Sequence, residues 1–293
     1  MDRRPLPTAT RRPPLLARGL GLLLLCWAWP ALALTVQLLG AGQGSEPFVA
    51  ALRAELGDAH RVVTTPGPAD VVVALHEGVI DEARATARPR LFLLPGAGPD
   101  LQPGETALFW APSLSDQLRL AQEIMPGLRR VGLLVAPADL SRAQALRATA
   151  AARRIEVMVR EADPALLARQ VGDVAPTADL LLAPVDPRLF NRDNLKPVLL
   201  AAYRQNRVFI GPTPAWVRAG SLASLYATPE TLAGDVAAAL RAWQQDRHWP
   251  APAQASRFDV ITNPQVARSL GLRLPDAEAL TRSLQSGKVV PWP

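Results

Sequence analysis

Polar and aromatic residues recur in this chain at the places where an apolar run gives way to a helical pattern. The first such place is Gly40-Ala41-Gly42-Gln43-Gly44-Ser45-Glu46-Pro47. Glycines let a backbone approach a ligand closely, and the free N–H groups of a helix start hold a carboxylate or phosphate. Gly42, Gln43 and Ser45 are the candidate contacts. A dinucleotide fingerprint is the rival reading, but the spacing is Gly-x-Gly-x-Gly, and the next run, Arg61-Val62-Val63-Thr64, does not end in the acid that would hold a ribose. The remaining alternative is a tight, unliganded turn.

His76, with Glu77 beside it, ends another apolar run and is placed to donate to a ligand or act as a base; capping a strand end is its bland alternative. Asp186 follows Leu180–Val185 and suits an amino group or a hydroxyl, or else closes a turn. Asn191 comes just before the next helical pattern, and Asp139 follows Val131–Val135. Ser113 can cap a helix as well as face a ligand. Trp216 can stack on a ring or fill a gap between lobes, and Tyr226 is a comparable aromatic at a hinge. No metal site is expected, because His60 and His248 are remote from His76 in sequence. Neither a Gly-x-Ser-x-Gly elbow nor a Gly-x-x-x-x-Gly-Lys-Ser/Thr loop occurs, and Lys196 and Lys288 are the only lysines. The chain is read as a non-enzyme with no cofactor.

Residues so placed need strands that end on one side and helices that begin there. The apolar runs Thr35–Leu39, Val71–Leu75, Leu91–Leu94, Ala107–Trp110, Val131–Val135, Ile155–Arg160, Leu180–Ala183, Val208–Ile210 and Phe258–Ile261 are nearly continuous, as in parallel strands covered on both faces. Helical spacing predicts Pro47–Leu56, Leu114–Ile124, Arg142–Arg153, Ala165–Val174 and Leu195–Gln205, and a helix capped by Thr228 with Pro229 at its first position. This alternation predicts an α/β protein of two doubly wound parallel-sheet lobes joined by hinge segments. The expected division is residues 34–112 plus about 228–258 for the first lobe, and 113–227 plus about 259–293 for the second.

The 293 residues carry 32 Lys and Arg against 26 Asp and Glu, and 49% are hydrophobic, which excludes a disordered chain. Much of the basic excess lies at the start. Arg3, Arg4, Arg11, Arg12 and Arg18 precede an apolar run from Gly19 to Trp29, which ends in Ala31-Leu32-Ala33. That is the form of a cleaved secretory signal over residues 1–33, with an uncleaved anchor as the alternative. It holds five of the bases and one acid, so the rest has a net charge near +2. It also holds the lone Cys26, which leaves no cysteine for disulfides or a zinc module. The basic Arg129, Arg130, Arg153 and Arg154 are not interleaved with aromatics, so no nucleic-acid surface is expected.

Phe258-Asp259-Val260-Ile261-Thr262-Asn263-Pro264-Gln265-Val266-Ala267-Arg268-Ser269-Leu270-Gly271-Leu272-Arg273-Leu274-Pro275 resembles the ending of the type I periplasmic solute-binding proteins, in the ABC-transporter group that includes aromatic-amino-acid binders. Met125–Leu134 resembles that family's entry to its second lobe, and Ala219–Tyr226 its Gly-Ala-Leu-Ala-x-Tyr strand. The chain departs from the family at Ala74–Gly78 and Phe109–Ser113, where Gly- and Thr-rich loops are usual. The resemblance implies two lobes closing on a ligand, an exported periplasmic protein, and a membrane permease as partner. The expected protein is thus the monomeric solute-binding component of an ABC-type uptake system. A regulatory or scaffold protein of the same fold is the alternative, with an exported enzyme a distant third. Few charged residues stand at the strand ends, which favours a mostly neutral or amphiphilic solute over a polyanion.

Overall fold

The computed structural model describes residues 33–96 and 98–286. The expected signal over residues 1–33, with Cys26, lies outside the described residues except for Ala33. Elements follow in the order Thr35–Leu39 (β1), Glu46–Leu56 (α1), Arg61–Val63 (β2), Val71–Ala74 (β3), Ile80–Ala85 (α2), Arg90–Leu94 (β4) and Glu105–Phe109 (β5). Next come Leu114–Ile124 (α3), Arg130–Val135 (β6), Leu140–Ala152 (α4), Glu156–Glu161 (β7), Leu167–Val174 (α5), Leu180–Leu182 (β8), Leu195–Arg204 (α6) and Val208–Ile210 (β9). The remainder is Pro214–Ala219 (α7), Ala223–Tyr226 (β10), Pro229–Asp246 (α8), Ala253–Gln254 (β11), Asp259–Thr262 (β12), Pro264–Ser269 (α9) and Ala277–Ser286 (α10).

These strands make two six-stranded sheets, ordered β11-β5-β4-β3-β1-β2 and β12-β10-β9-β8-β6-β7. All neighbours are parallel except β12, which runs antiparallel to β10. The apolar runs are continuous for the reason expected: helices cover both faces of each sheet. Val71, Val72, Val73 and Ala74 are all fully buried, with Val71 and Val73 in one core and Val72 and Ala74 in another. In the second sheet, Leu180 and Leu182 face the core that includes α3, α4 and α10, while Leu181 faces that of α5, α6 and α7.

The chain passes between the lobes at residues 110–113, 227–228 and 255–258. α3 follows β5 of the first sheet but packs in the second lobe, against α4 and α10. α8 follows β10 of the second sheet but packs on α1 of the first. Local capping starts both helices. The Ser113 hydroxyl accepts from Asp116 N at the head of α3, and the Thr228 hydroxyl accepts from Thr231 N at the head of α8. The Pro-rich stretch after α8 is pinned to the first sheet: Trp249 Nε1 donates to Gly104 O at 3.0 Å, and Thr106 Oγ1 to Pro250 O at 2.8 Å.

The first sheet is locked at the end away from its β1 and β3 loops. Glu105 accepts from Arg84 Nε and Nη2 and from Arg90 Nε, all at 3.0–3.1 Å, and its side chain is buried. Burial alone would raise the Glu105 pKa, but the hydrogen bond from Arg84, that of the Gln102 backbone and the charges of Arg84 and Arg90 hold it below the ordinary carboxylate range.

Candidate functional site

In a parallel α/β sheet a ligand binds beyond the carboxyl ends of the strands, where the strand order reverses. In the first sheet that point lies between β1 and β3, and in the second between β6 and β8. The loops that leave these four strands carry Gly42, Gln43 and Ser45, then His76, Asp139, Asp186 and Asn191. Seven of the residues singled out in the sequence are therefore sited by topology on the loops of the two switch points.

After β1 the loop closes on itself. Ser45 Oγ donates to Gly42 O at 2.7 Å and accepts from Gly42 N at 3.0 Å, while Glu46 Oε2 accepts from Gly44 N at 2.7 Å. Ser45 and Glu46 thus use the loop amides of Gly42 and Gly44, while the Ser45 side chain makes no cap bond to the start of α1. His76 sits beside this loop: a methyl group built on Gly40 would lie 2.5 Å from His76 Nε2, and Gly40 has φ +78°. The imidazole thus rests where only a glycine leaves room.

Beyond the strand ends of the second sheet's switch point lies a chain of ion pairs. Arg188 Nε and Nη2 reach the two oxygens of Asp186 at 2.9 and 3.0 Å, and the Arg188 backbone N–H adds a bond to Asp186 Oδ1 at 2.9 Å. Arg188 Nη2 also reaches Asp139 Oδ2 at 3.4 Å, and Asp139 Oδ1 accepts from Arg142 Nη2 at 2.7 Å. Hydrogen bonding to Asp186 raises the Arg188 pKa against the opposing effect of burial, and the charges of Asp186, Asp139 and Glu77 add to it. Glu77 belongs to the loop after β3, so attraction crosses between the lobes. A direct approach crosses there too: a methyl group on Gly96, in the loop after β4, would lie 3.3 Å from Arg142 Nη1.

The expectation of few charged groups at the strand ends is corrected by this arrangement. Glu77, Asp139, Asp186 and Arg188 stand just beyond the strands, and Arg142 in the first turn of α4. Arg142 and Arg188 were not singled out in the sequence. Their signal was the short spacing from Asp139 and Asp186, three and two residues on.

The other candidates are placed as follows. The Ser113 hydroxyl accepts from Asp116 N at 3.0 Å and donates to Asp116 Oδ2 at 2.8 Å, so it serves the helix cap. Asn191 Oδ1 accepts from Asp193 N at 3.0 Å and Asn194 N at 3.3 Å, folding the turn before α6. Trp216 is only 3% exposed, stacked on Phe209 at 5.7 Å and edge-on to Phe190 at 5.7 Å. As a ring to stack on a solute it is corrected to a core residue, because α7 turns its indole into the apolar layer between the helices and β9. Tyr226 is the last residue of β10, paired with Asp259 of β12 and followed at once by a crossover. Burial raises the Tyr226 pKa first, and the charges of Asp259 and Glu230 add to it.

Among solved structures, the fold is shared with a ligand-free, open substrate-binding protein with adhesive properties from Clostridium difficile. That match has a TM-score of 0.66 and 14% identity, over 83% of this chain and 96% of that one. It is shared also with a Streptococcus pneumonia ABC domain in complex with L-Trp (TM-score 0.62, 14% identity, 85% and 98% covered). A conserved domain protein from Vibrio cholerae matches at TM-score 0.59 and 19% identity, over 85% and 98%. No protein-family profile matches the chain, and no curated protein matches it in sequence. The chain has the two-lobed α/β fold of the type I periplasmic binding proteins.

Proposed function

We propose that this chain is an exported solute-binding protein whose lobes, residues 34–112 with 228–258 and residues 113–227 with 259–293, close on a small molecule and deliver it to an ABC-type permease. Residues 1–33 serve as the export signal, and the working protein is a monomer in the periplasm. No helix among the described residues is long and apolar enough to cross a membrane, in keeping with this reading.

The observation that carries it is that each sheet brings polar side chains to its point of strand reversal, and that the lobes approach each other close by, where Arg142 of α4 faces Gly96 of the loop after β4. Three short crossovers form a hinge about which such lobes can move. The structural neighbour in complex with L-Trp gives the precedent for a small solute in this fold. Binding by such a protein needs no catalytic group, and the Asp and Arg side chains are held against one another by ion pairs rather than set beside a nucleophile.

A thermal-shift screen of the purified exported chain against amino acids, sugars, small organic acids, polyamines and inorganic anions tests the reading. A true ligand at 100 times its Kd stabilises by about 2.7 kcal/mol, visible as a shift of several degrees. If no solute class shifts the melting temperature while an envelope protein co-purifies with the chain, the scaffold alternative replaces it.

A further inference from the structure

We propose that the cleft selects solutes bearing an anionic oxygen group, a carboxylate or a phosphate, gripped by the outward edges of the Arg142 and Arg188 guanidiniums. This rests on the solute-binding reading and specifies its ligand class.

Asp186 is where an amine would be expected to bind, yet it is withdrawn from any ligand. It is 5% exposed, and Arg188 engages both its oxygens from the side chain and one from the backbone. A carboxylate offers about four acceptor positions, and three are taken. An ammonium group would have to break a buried, forked ion pair and strand its partner, which is costly. Asp139 is used in the same way, one oxygen on Arg142 and the other on Arg188. Both acids therefore face inward, as supports.

The arginines face outward. The side chains of Arg188 and Arg142 are 61% and 40% exposed. Among the described residues, Arg188 Nη1 and Arg142 Nε and Nη1 have no acceptor. Each guanidinium is held from behind by carboxylates, so its free N–H groups are oriented before a ligand arrives and make charge-assisted hydrogen bonds to a carboxylate or phosphate. Opposite Arg142 the first lobe presents Gly96, which has no side chain to cover it. The charge of Glu77, in the loop after β3, also attracts Arg188, so it competes with an anionic solute for that guanidinium.

Calorimetric titration of the exported chain with succinate, inorganic phosphate, glucose and putrescine tests this, alongside E77Q and R142Q. Neither variant removes a partner of the buried Asp186, and circular dichroism melts confirm that both fold. Succinate or phosphate should bind while glucose and putrescine do not. E77Q should tighten that binding by about threefold, and R142Q weaken it by about tenfold, the scale of one charge-assisted hydrogen bond. Binding should also weaken as sodium chloride rises. If glucose or putrescine binds and the anions do not, the anion proposal falls while the solute-binding reading stands. If an anion binds equally well to the parent and both variants, the arginine wall is not the site and the proposal falls. If neither these probes nor the wider screen binds, both fall together.

Discussion

His76 rests against Gly40: a methyl group on that glycine would lie 2.5 Å from Nε2 and 2.7 Å from Cδ2 of the ring. The contact joins the ends of β3 and β1, the pair of strands that defines the switch point of the first sheet. It makes Gly40 necessary twice, for its left-handed φ of +78° and for the room it leaves. Gly40→Ala should therefore destabilise the chain by about 1–3 kcal/mol. In a His76→Ala background the same change should cost less, since the backbone strain remains but the clash is gone. Urea denaturation of the four proteins of this double-mutant cycle measures the difference.

Glu105 gives a prediction in pH. Its folded pKa lies below the ordinary value of 4.5, so the ionised group stabilises the native state at neutral pH. That contribution should begin to fade as pH falls towards 4.5 and vanish below the lowered folded value. Glu105→Gln should flatten the acid limb of a stability–pH curve over that window. Glu105→Ala should cost about 3–5 kcal/mol at pH 7, the scale for breaking a buried pair, because Arg84 and Arg90 lose their shared partner. Chemical denaturation across pH 3–7 checks both.

Trp216 separates packing from recognition. If its ring serves the core with Phe190 and Phe209, Trp216→Ala should cost about 3–5 kcal/mol, while Trp216→Phe should retain most of the stability and leave solute affinity unchanged. A loss of affinity in the folded Trp216→Phe variant would return the ring to the cleft.

Ser113 makes a similar pair of expectations. With its hydroxyl bound to Asp116 N and Asp116 Oδ2, Ser113→Ala should lower stability by about 1 kcal/mol through the lost cap, and Ser113→Thr should restore it. Melting temperatures and titrations of the two variants distinguish this from a ligand contact, which would change affinity more than stability.

Much of the architecture was legible because burial on both faces leaves a plain trace. Thr35–Leu39 and Val208–Ile210 are strands with the bounds their apolar runs predict, and Leu114–Ile124 is a helix with the bounds set by its cap and spacing. The antiparallel direction of β12 was not legible, since the run Phe258–Ile261 is the same read either way. Short elements such as α2 and α7 span less than two turns and carry too few residues for a period to show. At the candidate site, Asp139, Asp186 and His76 were legible from their places after strands. What each touches was not. The inward turn of Trp216 depends on how α7 meets β9, and the outward turn of Arg142 and Arg188 on acids that hold them from behind.

The central claim is that two lobes close on a solute, and a distance between the lobes tests it most directly. From residue 34 onward the chain has no cysteine, so Ala85→Cys and Ala165→Cys, both at exposed positions and one in each lobe, would carry spin labels alone. Double electron–electron resonance is then measured without solute and with a saturating amount of whichever solute raises the melting temperature most. The account predicts a shift of the distance distribution to shorter values, with narrowing, in the loaded protein. An unchanged distribution in a protein whose melting temperature has risen would contradict it.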